Sequence, residues 1–89
     1  MRARYSAFVV GDAAYLRDTW HGSTRPERVE LDPGIRWTGL EIVDVMDDGD
    51  RAVVEFRAHY RDAEGQGVQQ ERSRFARRAG RWFYLDAED

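Results

Sequence analysis

The sequence predicts an α+β domain in which two short N-terminal helices pack on one face of an antiparallel sheet of about four strands. Three observations carry this expectation. Apolar residues recur at helical spacing near the N-terminus, the hydrophobic period changes to two from Trp37 onward, and turn signals containing glycine divide that second region into alternating stretches.

In residues 2–10, Tyr5, Phe8 and Val9 follow the i, i+3, i+4 pattern of a short amphipathic helix, and Gly11 can take the left-handed conformation that ends one. Asp12 is placed to cap a second helix, AAYLRDTW, whose Tyr15, Leu16 and Trp20 share a face. Arg2 and Arg4 fall in the opening turn of the first helix, where the macrodipole disfavours cations, and nothing before them can serve as a cap. That start leads us to expect residues upstream. Residues 21–36, HGSTRPERVELDPGIR, contain both prolines and a Pro33-Gly34 turn signal, with only Val29 and Leu31 hinting at an extended piece. A connection of this length serves either as a surface crossing or as a lid that carries contacts.

The stretch WTGLEIVDVMDD reads as the first strand, turned at Gly49, and RAVVEFRAHYRD follows as the clearest strand of the chain. Its inner set is Ala52, Val54, Phe56, Ala58 and Tyr60, and its wet set is Glu55, Arg57, His59 and Arg61. A turn at Glu64-Gly65-Gln66-Gly67 leads to VQQERSRFARR, and Ala79-Gly80 leads to RWFYLD. Setting Phe56 opposite Phe75, a favourable aromatic pair, places Tyr60 near Glu71 and Ala58 near Ser73. Tyr84 then lies beside Phe75 with Trp82 on the same side, while Phe83 and Leu85 face outward.

Composition narrows the functional classes. The 17 acids outnumber the 14 bases, all of them Arg, for a net charge of −3, so the chain lacks the basic footprint of a nucleic-acid binder. It has no cysteine, which removes thiolate metal sites and Cys nucleophiles. Its apolar runs are too short to span a bilayer, and MRARYSAFVV turns polar too quickly for a secretory signal, so a cytoplasmic location without membrane attachment is expected. At 89 residues the core is modest, which makes dimerisation plausible. No nucleophile elbow, phosphate loop or metal-ligand spacing is present.

Glu71 is the one residue whose placement suggests chemistry. A carboxylate pointing toward the helices among Phe56, Phe75, Trp82 and Tyr84 either finds a partner or becomes a site. Trp37, Tyr60, Glu71, Ser73, Trp82 and Tyr84 are therefore candidate pocket residues, and His21, at the end of the second helix, is a candidate for the rim. No catalytic residue is assigned, Glu71 being a candidate general base only. His59 belongs to the wet face. With Arg57, Arg61, Arg72 and Arg74 it forms a solvated surface or, together with Phe83 and Leu85, the interface of a homodimer.

The stretches RYSAFVVGDAAYLRDTWH, STRP, WTGLEIVDV, VEFRAHY, ERSRF and GRWFYLD together closely resemble the bacterial YchJ-like family over nearly the whole chain. The resemblance implies a nuclear-transport-factor-2-like (cystatin-like) fold over residues 1–89, a strongly curved sheet wrapped around helices as a cone. It also implies, in many members, a cysteine-rich, zinc-binding SEC-C module before the segment matching RARYSAF. The chain carries no such module, so no zinc or other cofactor is expected here. Either the natural chain extends upstream or this member lacks the module. Two positions depart from the family pattern: Gly22 replaces a Pro, and Gln70 replaces a His beside Glu71. The resemblance implies a fold and lends no activity. We expect a non-enzymatic accessory module that holds a small ligand or a protein partner. The alternative is a small isomerase or dehydratase in which Glu71 moves a proton beside a carbonyl.

Overall fold

A computed structural model describes residues 1–88. Helices α1 (Arg2–Val10) and α2 (Ala13–Asp18) precede four strands, β1 (Arg36–Asp48), β2 (Arg51–Asp62), β3 (Gly65–Arg78) and β4 (Arg81–Glu88). The strands pair antiparallel in the order β1-β2-β3-β4. The helical junction forms as its residue types dictate: Gly11 closes α1 at φ 75°, and the Asp12 carboxylate accepts the Tyr15 amide at 3.0 Å as the cap of α2. Beyond α2, no strand forms across Val29 and Leu31.

The sheet is curved. Pairing slips between Trp37 and Gly39 and between Ile42 and Asp44 on β1, and again where β4 meets Arg74 and Phe75 of β3. Each slip inserts a residue into one strand, which bends it and increases its twist. The residues from Thr19 to Thr24 then run along the free edge of β4. The Tyr84 amide donates to the Thr19 carbonyl at 2.8 Å, the His21 amide to the Tyr84 carbonyl at 2.7 Å, and the Thr24 hydroxyl to the Leu85 carbonyl at 2.7 Å. An edge that would otherwise offer unpaired backbone groups is thereby covered.

One expectation about β2 and β3 needs correction. Phe56 pairs with Glu71, and Phe75 with Ala52, because the hairpin turns on Ala63 and Glu64 and not on the Glu64–Gly67 stretch. Asp62 Oδ1 holds that turn by accepting the Glu64 amide at 2.9 Å, and Gly65 takes a φ of 125°. Gly67 is thus a strand residue paired with Tyr60. The offset from the expected register is even, so every side chain keeps its face: Phe56 and Glu71 lie on the same side of the sheet.

The helices cover that inner face. Ala7, Leu16, Phe56, Ala58 and Phe75 are buried, but few large aliphatic side chains join them. Aromatic residues fill the space instead, in two clusters. Phe8 meets Trp37 and Trp37 meets Tyr60 on the β1 side, while Trp20 meets Tyr84 and Tyr84 meets Phe75 on the β4 side. The outer face carries paired charges, with Arg72 held by Glu55 at 3.0 Å and Arg74 by Asp86 at 2.6 Å. No helix among the described residues is long and apolar enough to cross a membrane.

Candidate functional site

Between the two aromatic clusters the structure leaves a cavity of about 140 Å³. Helix α1 and the Met1 before it roof the cavity, the helix with Arg4, Tyr5 and Phe8; β2 and β3 floor it with Phe56, Ala58, Gln69, Glu71 and Ser73. Trp37 closes the β1 side, and Trp20 and Tyr84 the β4 side. The gap follows from the composition of the floor. Ala58 and Ser73 are the small residues in the middle of their strands, and the aromatic rings around them pack edge-on and not flush.

Arg4 is the residue that the sequence reading missed. Its position alone suggests a mismatched helix start, yet it is only 6% exposed, donating through Nη1 to the Leu16 carbonyl at 3.3 Å and to the Thr19 hydroxyl at 3.0 Å. Its guanidinium lies 4.4 Å from the centre of the Tyr84 ring and 5.6 Å from that of Trp20. The available signal was spacing: Arg4 stands one turn before Phe8 and Ala7, on the stripe that faces the sheet. Burial lowers the Arg4 pKa, and the nearby Tyr84, Tyr15 and Glu71 oppose that effect. The Tyr84 phenol is pushed up to about 12, by burial first and then by the charge of Glu71, with Arg4 acting against them. Tyr84 is therefore a neutral hydroxyl at any physiological pH.

Glu71 is partly buried, and its Oε2 accepts the Ser73 hydroxyl at 2.6 Å. Ser73 is 1% exposed. Among the described residues the ion pairs lie elsewhere, and none joins Glu71 to Arg4. One anion and one cation thus line the same small space without touching.

The structure brings Trp37, Glu71, Ser73 and Tyr84 to this cavity. Three other candidates lie outside it. The Tyr60 ring packs on Gly67 and lines a neighbouring groove with Thr38 and His59, because the true register moves it away from Glu71. Trp82, 38% exposed, faces a second hollow of about 370 Å³ beyond Arg4 and Tyr84. His21 sits on the β4 edge, its Nδ1 2.8 Å from the Ser23 hydroxyl and its ring against Phe83. Gln70 lies on the outer face, donating to Glu55 at 2.6 Å, so the histidine that the family resemblance puts there belongs to the face opposite Glu71. The described residues gather no group of three or more metal-ligating side chains.

Comparison with known proteins gives one consistent result. Residues 1–87 match the family model described as YchJ, middle NTF2-like domain. A UPF0225 protein of Streptomyces coelicolor is 55% identical over 99% of this chain and 70% of its own length. One of Xanthomonas oryzae is 53% identical over 98% of this chain and 70% of its own. A third, from Streptomyces avermitilis, is 50% identical, and the chain spans 62% of its length. The solution structure of a SEC-C motif containing protein from Rhodopseudomonas palustris superposes with a TM-score of 0.87 at 27% identity, covering 99% of this chain and 73% of that one.

Proposed function

The chain belongs to the YchJ family, whose middle NTF2-like domain it matches, and from that premise we propose that it is a non-enzymatic module that binds a small ligand in the cavity under α1. The observation that carries this reading is the space itself. A hollow of about 140 Å³ in so small a core gives up dispersion contacts that packing would supply, yet it is lined by charged and hydroxyl groups that a purely structural void does not need. Its polar groups suit recognition. Tyr84 is a neutral donor, and Glu71 already accepts one hydrogen bond, from the Ser73 hydroxyl.

An isomerase-like reading rests on Glu71 lying inside the cavity. The two histidines are elsewhere, His21 beside Phe83 and His59 near Glu41 on the outer face, so a proton moved by Glu71 has no histidine to receive it. Binding without turnover is the better fit. The test is a titration with toluene followed by protein NMR. Intermolecular contacts from toluene to Trp37, Phe56 and Ala58 are expected, and an intact protein that shows none at millimolar toluene contradicts the reading.

A further inference from the structure

The charge and size of the cavity narrow the ligand class, given that the module binds a small molecule at all. About 140 Å³ is the size of a cavity that holds one benzene ring, roughly 150 Å³ in a well-studied case, so a single ring fills the space under α1. Edge-on aromatic walls at Phe8–Trp37 and Trp20–Tyr84 suit a flat ring.

The polar groups decide what that ring carries. Arg4 on the roof disfavours a cation, and Glu71 on the floor disfavours an anion, and among the described residues the two form no ion pair across the gap. Both nevertheless have capacity left. Arg4 makes its two protein hydrogen bonds through Nη1, and Glu71 accepts from Ser73 at Oε2 with the Tyr84 hydroxyl beside it, leaving guanidinium donors and carboxylate lone pairs for a guest among the described residues. A guest that offers an acceptor to one wall and a donor to the other compensates both charges while staying neutral.

We propose that the cavity takes a neutral single-ring aromatic amide or lactam, its carbonyl oxygen turned toward Arg4, its N–H toward Glu71, and its ring between Trp37 and Tyr84. Tyr84 contributes its ring under Arg4 and a neutral hydroxyl on the Glu71 side.

Four probes of nearly one shape test this: benzamide, benzamidine, benzoate and toluene, each titrated into the protein and followed by ¹⁵N–¹H correlation spectra. Benzamide is expected to bind about tenfold more tightly than the other three, the ratio set by hydrogen bonds to charged groups, with contacts to Trp37 and Phe56. Glu71→Gln is expected to remove most of that advantage. Tighter binding of benzamidine or of benzoate overturns the proposal in favour of a cation or an anion site. Toluene binding as well as benzamide overturns it too, but leaves the ligand-binding module standing, whereas silence from all four removes both. The unsubstituted protein decides among the probes even if the variant fails to fold.

Discussion

Arg4 and Tyr84 form one stacked unit in which each residue sets the other's environment. Because the folded protein raises the Tyr84 pKa above its ordinary value of 10.0 to about 12, the neutral phenol is preferred in the native state. The contribution is therefore complete below about pH 10 and is lost as pH rises through about 12. We predict a late phenolate absorbance step near pH 12 that disappears in Tyr84→Phe, together with a shallower alkaline loss of stability in that variant. Arg4 belongs to the core by its contacts, so Arg4→Ala is expected to lower the unfolding free energy by about 2 kcal/mol in urea titrations, through one buried and one half-buried hydrogen bond and the aromatic stack. A change below about 0.5 kcal/mol is what an exposed arginine gives, and it would contradict the burial.

The hairpins show how far local pattern determines an element. Tyr60 covers Gly67, where an added Cβ would come within 2.5 Å of its ring. Gly67→Ala is predicted to cost about 1–2 kcal/mol, and much of that cost should vanish in a Tyr60→Ala background, a coupling of about 1 kcal/mol in a double-mutant cycle. Strict additivity would return Gly67 to the turn. At the next hairpin, Ala79 adopts φ 51° and Gly80 φ 78°, a conformation that suits Asn or Gly better than Ala. Ala79→Asn should raise stability by about 0.5–1 kcal/mol by thermal or chemical unfolding. All four strands and the junction between the helices were legible in the sequence, because period-two alternation, Gly11 and Asp12 act locally. The second helix, expected to reach Trp20, ends at Asp18, and Trp20 bridges to Tyr84 instead. The β2–β3 register was not, since Asp62-Ala63-Glu64-Gly65-Gln66-Gly67 offers more than one glycine on which to turn. Face assignment survived because the error was even.

At the scale of the molecule, the order of four strands and the covered inner face bring Trp37, Glu71, Ser73 and Tyr84 together from β1, β3 and β4. Those four were legible because each belongs to the inward parity of its strand. Arg4 was not, because its role depends on where α1 lies over Trp20 and Tyr84, a tertiary fact that helix-end electrostatics does not contain. Nor was the cavity, which is the space left when aromatic rings of fixed shape surround small residues on a curved floor. Ala58, buried at the centre of that floor, gives direct access to it. The measurement that bears most closely on the central claim is the unfolding free energy of Ala58→Val. If the space under α1 is a genuine void, the two added methyl groups fill it and stability rises by about 1 kcal/mol. If the core is already closed at this point, the same substitution overpacks it and stability falls by about 1–3 kcal/mol.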